Sequence, residues 1–140
     1  MADMAVIAAR VKQLVREGFA HEFGKPRVPK KADAEWQKIR DAGTTLWLDT
    51  GDMEEATRLW TSEFEALTTN NTLLNKEVQK GIYDGLVGRA AAIIREVAPG
   101  LDEKDLLLEV AFVLNAYHGL RLVEQFDAHV SVELHTDLAH

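Results

Sequence analysis

The sequence predicts an α/β fold built on three parallel strands separated by helices. Three segments rich in β-branched and aromatic residues, 44–50, 64–68 and 129–134, have strand character. Helical periodicity fills the stretches between them, and strands joined through helices pair in parallel by crossover connections. Alternation of this kind defines an α/β architecture.

Residues 1–23 read as an amphipathic helix. Met4, Ile7, Val11, Leu14, Val15 and Phe19 recur at three- and four-residue spacing, with Arg10, Lys12, Arg16 and Glu17 mostly on the other face. Gly24 then opens GKPRVPKK, where Pro26 and Pro29 break regular structure and four basic residues cluster. So few charges on a short loop give little phosphate affinity, so a solvated linker is expected rather than a docking site for an acidic partner. Asp33 caps a short helix through Trp36, Ile39 and Arg40, ended by Gly43. Residues 1–43 thus form a helical extension ahead of the first strand.

TTLWLDT, residues 44–50, carries no helical stripe and reads as a buried strand. Asp52 with Glu55 three residues later resembles a capping box, opening a helix that turns Met53, Ala56, Leu59 and Trp60 inward. FEALT, residues 64–68, is the second strand. NTLLNKEVQKG is a helix from Asn71 to Gly81, and IYDGLVGRAAAIIREVAPG a second one stopped by Pro99 and Gly100. The spacing of Gly81, Gly85 and Gly88 suggests close helix packing. Asp102 caps a helix to about Phe126 that is apolar on more than one face, so it needs neighbours on two sides. HVSVEL, residues 129–134, is the third strand, and HTDLAH follows. A last strand without a covering helix leaves an open edge and a bare face, so residues 44–140 are expected to be part of a larger domain.

Composition excludes several function classes. Of 140 residues, 46% are hydrophobic and 28% charged, a globular balance. Sixteen Lys and Arg against 23 Asp and Glu give a net charge of −7, which argues against binding nucleic acid or an anionic membrane. The absence of Cys removes disulfides, thiolate metal sites and cysteine nucleophiles. No uninterrupted apolar run approaches the roughly 20 residues of a membrane span, and the amino-terminal segment lacks a signal peptide's core. A soluble cytoplasmic protein is expected.

Parallel α/β folds place ligands at the carboxyl ends of their strands. Polar residues stand at all three ends here: Asp49 in LWLD, Thr68, Thr69 and Asn70 in FEALTTN, and Glu133 in VSVE. Two carboxylates and an amide on one rim can serve acid–base chemistry and hold a hydroxylated substrate. Taken singly, Asp49 and Thr69 read first as turn and cap residues, and it is the coincidence at three strand ends that points to function.

LWLDTGD, then ALTTNNTLL, then HVSVELHTDLA, in that order and spacing, resemble the amino-terminal part of the transaldolase family. The family turn of the type T-T-N-P-S/T-L stands here as Thr68-Thr69-Asn70-Asn71-Thr72-Leu73, with Asn71 in place of the usual Pro. The resemblance implies a partial (β/α)8 TIM barrel, of which the chain holds the first three parallel strands, preceded by a helical extension that larger members carry. It implies that Asp49 handles protons during carbon–carbon cleavage and formation. Asn70, with Thr68, would position the reactive amine and the substrate hydroxyls, and Glu133 would work with a catalytic water. The family forms a Schiff base between a fourth-strand lysine and a ketose donor, and moves a dihydroxyacetone unit between sugar phosphates in the pentose phosphate pathway. No metal or organic cofactor takes part. The lysines here, Lys12, Lys25, Lys30, Lys31, Lys38, Lys76, Lys80 and Lys104, all fall in loops or on charged helix faces and read as solvated. A whole barrel takes about 250 residues, so the isolated chain is expected to be inactive.

Other constellations carry little. His21, His118, His129, His135 and His140 include no helical i, i+4 metal pair. His118 reads as a hydrogen-bonded interior residue, and His135 lies near the rim. Trp36, Trp47 and Trp60 read as packing residues, and no phosphate-cradling glycine motif occurs. Two rival readings remain: a non-catalytic module that self-associates through open sheet edges, and a related fructose-6-phosphate-type aldolase.

Overall fold

The computed structural model describes residues 4–133. Leu134, His135 and the rest of HTDLAH lie outside the described residues. Elements run α1 (Met4–Arg16), α2 (Ala34–Asp41), β1 (Leu46–Asp49), α3 (Met53–Leu59), β2 (Phe64–Thr69), α4 (Asn71–Gln79), α5 (Asp84–Val97), α6 (Glu103–Phe126) and β3 (His129–Val132).

α1 is shorter than the 1–23 its periodicity predicts. Gly18 adopts φ +81°, and the Phe19 N–H turns back to the Arg16 carbonyl at 3.2 Å, so the helix closes where a left-handed residue is available. Phe19 leaves the stripe and meets the Tyr117 ring edge-on, with centroids 5.0 Å apart. The basic segment after it is not a free linker. Arg27 and Val28 donate backbone N–H bonds to the Gln125 carbonyl, both at 2.9 Å. Arg27 also pairs with Glu124 at 2.6 Å, and Val28 is buried. Proline-broken backbone has unpaired N–H groups, and the carboxyl end of α6 supplies acceptors for them.

Caps follow the sequence closely. Asp33 accepts from the N–H groups of Glu35 and Trp36, Asp52 from those of Glu54 and Glu55, and Asp102 from that of Asp105. The predicted capping box at Asp52 is closed differently. Glu55 takes a bond of 2.7 Å from the Thr50 hydroxyl, which itself accepts from the Asp52 N–H at 3.2 Å.

The sheet has the order β1-β2-β3, all parallel. Trp47 pairs with Ala66, Leu48 with Leu67 and Asp49 with Thr68; Leu67 pairs in turn with Val130 and Thr68 with Ser131. The register shifts between Leu46 and Trp47, which puts Phe64 beside Leu46. Strand alternation therefore splits the sheet. Leu48, Leu67 and Val130 face a core with Ala56, Trp60, Phe64, Leu122 and Phe126. The other face carries Trp47, Asp49, Thr68, His129 and Ser131, and no helix among the described residues covers it.

That one-sidedness corrects two expectations. β1 is an edge strand with an alternating burial pattern rather than a buried strand, and Trp47 is 55% exposed. Trp36 is only partly covered, on an α2 that buries no residue, but its ring packs on Phe64 with centroids 5.5 Å apart, while Trp60 is the buried tryptophan. The glycines correct a third. Gly81 takes φ +75° just beyond α4, whereas a side chain at Gly85 or Gly88 would meet open space. Those two do not mark a tight helix contact.

A second core joins Leu14 and Val15 of α1, Leu74, Tyr83, Ala90 and Ile94 to Leu106, Val110, Val113 and Leu114 of α6. α6 thus serves both cores, as its two-sided apolar pattern requires. By length and composition α6 is also long and apolar enough to cross a membrane, which counting uninterrupted apolar residues does not detect. One or two such helices are weak evidence for a span, because a soluble protein's core helix passes the same test.

Candidate functional site

The geometry of the rim follows from strand register. Asp49, Thr68 and Ser131 are successive partners in one row across the sheet. The Thr68 hydroxyl donates to Asp49 Oδ1 at 2.7 Å. The ladder continues past the strand ends, with the Thr50 N–H donating to the Thr68 carbonyl at 3.0 Å and the Glu133 N–H to the Thr69 carbonyl at 3.2 Å. Asn70 and Glu133 come directly after the ends of β2 and β3. The structure thus brings Asp49 and Thr68 into contact. Among the described residues no hydrogen bond joins Asn70 or Glu133 to Asp49.

Asn70 carries a second duty. As N-cap of α4, its Oδ1 accepts from the Leu73 N–H at 2.9 Å. The cap occupies the oxygen and leaves the amide nitrogen as the group able to donate to a ligand. Asn71, in the first turn of α4, accepts from Asn115 Nδ2 at 3.3 Å, so α4 is tied to α6 beside the rim.

Beneath the rim lies a buried polar layer that sequence reasoning did not assemble. His118 is 1% exposed, and its Nδ1 shares a 2.6 Å hydrogen bond with the Tyr83 hydroxyl. Burial lowers the His118 pKa; the nearby Gly51 carbonyl pulls the other way, while Arg121 and Lys80 oppose a second positive charge. Burial likewise raises that of Tyr83, against the Arg121 guanidinium. His118 was read as an interior histidine, and it is one. Its reach to Gly51 is not legible in the sequence, because the two are distant along the chain.

Gly51 sits where these groups leave no room. A Cβ there would lie 2.7 Å from Thr69 Oγ1 and 3.1 Å from Leu73 Cβ. Gly51→Ala is therefore expected to destabilise the fold by about 1–2 kcal/mol through overpacking. Thr69→Ala should recover part of that loss, a coupling that a double-mutant cycle from urea unfolding measures.

On the other side of Gly51 a charged cleft of about 480 Å³ is lined by Thr50, Asp52, Glu55, Arg58, Lys76 and Glu77, among others. Lys80 bridges Asp52 at 2.9 Å and the buried Glu77 at 2.6 Å. The Glu55 backbone N–H, with the Lys80 ammonium, holds the Asp52 carboxyl below its usual range. Glu77, then Asp52, raises the Lys80 pKa above that of a free lysine. An amine held protonated in this way is a poor nucleophile.

No family model matches the chain. A transaldolase of Xanthomonas euvesicatoria pv. vesicatoria (strain 85-10) is 37% identical to it over 92 residues, which make up 66% of this chain and 27% of that protein. The chain spans about a quarter of the length of this curated relative and is related to transaldolase over that part.

Proposed function

We propose that this chain is the amino-terminal portion of a transaldolase-like enzyme of the cytoplasm, with its strands the first three of a (β/α)8 barrel. The observation that carries the reading is the row Asp49–Thr68–Ser131 at the carboxyl ends of parallel strands, on the face that no helix among the described residues covers. The partial identity to a transaldolase supports the same reading.

In this reading Thr68 orients the Asp49 carboxylate, which takes and returns the proton of a substrate hydroxyl as a carbon–carbon bond breaks and forms. The free amide nitrogen of Asn70 donates to the reactive amine's neighbourhood or to a hydroxyl, and Glu133 directs a water. The substrates are sugar phosphates, between which a dihydroxyacetone unit moves. The Schiff-base lysine comes from outside this segment. None of the lysines lies in β1, β2 or β3, and Lys80 is kept charged by its two carboxylate partners.

Borohydride reduction in the presence of fructose 6-phosphate tests this. The 140-residue chain should trap no covalent adduct, whereas the whole enzyme should trap one on a lysine beyond residue 133. An adduct on this chain, or none on the whole enzyme, would overturn the assignment.

A further inference from the structure

We propose that His118 is a positioning residue of the rim: from α6 its Nε2–H closes on the Gly51 carbonyl as substrate loads Asp49, and so fixes the end of β1. This role rests on the proposed transaldolase-like reaction and deepens it. The sheet ladder supports β1 only as far as the Thr50 N–H, which donates to the Thr68 carbonyl at 3.0 Å. Gly51 comes next, two residues beyond the Asp49 carboxylate. Among the described residues no backbone N–H donates to the Gly51 carbonyl, so support for this peptide has to come from a side chain.

His118 is the side chain in place. Its Nδ1 lies 2.6 Å from the Tyr83 hydroxyl, to which Arg121 Nη1 donates at 3.4 Å. A guanidinium offers no acceptor, so the phenol hydrogen goes to Nδ1 and the ring proton sits on Nε2. Nε2 lies 3.5 Å from the place a Gly51 Cβ would take and turns to the Gly51 carbonyl. It is buried, has no other partner among the described residues, and stops short of a full hydrogen bond. A buried donor left open is costly, so the contact favours closing. Bonds of this kind are often long before substrate binds and tighten in the loaded complex. An apolar side chain would meet the needs of packing at lower cost, whereas the polar chain Arg121–Tyr83–His118 ends on this one carbonyl.

The test measures steady-state kinetics of the whole enzyme with fructose 6-phosphate as donor, in His118→Gln, His118→Met and Tyr83→Phe variants. Gln carries an N–H at the reach of Nε2, whereas Met is of similar length and donates nothing. Packing alone ranks Met above Gln, because a buried amide is costly; positioning ranks Gln above Met. His118→Met should lose about tenfold in kcat with KM held within about twofold, and His118→Gln should stay within about threefold of the parent. Tyr83→Phe keeps a ring in the core but removes the bond that orients the imidazole, and should lose about threefold in kcat. If His118→Met turns over as fast as His118→Gln, the proposal fails. Where His118→Met does not fold, Tyr83→Phe decides, and turnover at the parent rate overturns the proposal. An unsubstituted enzyme that moves no dihydroxyacetone unit overturns the parent reaction as well, so the two failures are told apart.

Discussion

Phe126→Ala is expected to lower the free energy of unfolding by about 3–5 kcal/mol, the range for truncating a fully buried aromatic side chain. Phe126 is 0% exposed at the last turn of α6, and its ring lies 5.0 Å from that of Trp60. Trp60 in turn stacks on Phe64 at 5.7 Å. The three rings link α6, the end of α3 and the start of β2, so the cavity left by truncation would open in the layer that holds the sheet against its helix. Collapse around the void is limited, because Leu67 and Leu122 beside it are themselves fully buried. Urea unfolding at neutral pH measures the change. A loss under about 1 kcal/mol would mean that this cluster does not anchor the sheet.

His118→Ala is expected to cost a comparable amount, about 3–5 kcal/mol, by removing a buried ring and leaving the Tyr83 hydroxyl only its longer 3.4 Å bond from Arg121. Its pH dependence sets it apart. The folded protein holds His118 below its ordinary pKa, whereas the unfolded chain protonates it near pH 6.5. Below that pH the unfolded state binds a proton that the native state refuses, so stability falls as pH falls. The contribution is complete above pH 6.5 and is lost progressively toward the depressed native value. Unfolding of both proteins at pH 7.5 and pH 5.5 should therefore show a smaller gap at the lower pH. A gap that is unchanged or widens on acidification would contradict a buried neutral imidazole.

Much of the fold was legible because its signals are local. Asp33, Asp52 and Asp102 cap the helices they precede, and the periodicity of α6 announces two packing partners. What failed depended on tertiary context. Nothing in LWLD reveals that one side of its sheet is exposed, so from the sequence alone Trp47 reads as a packing residue. Residues 24–31 look solvated until the carbonyl end of α6 is brought beside them. The polar residues of the rim could be picked out as strand-end residues, and register then shows which of them touch. The buried layer of Gly51, Thr69, Tyr83 and His118 could not be found that way, since its members come from four separate parts of the chain.

The uneven placement of the three indoles has an optical consequence. Trp60, stacked among other rings, emits from a dry and crowded site, while Trp36 and Trp47 emit from wetter ones. The native emission band is therefore expected to be a composite of blue and red components. Its blue component reports on the contact between sheet and α6 alone, a built-in gauge of that one layer.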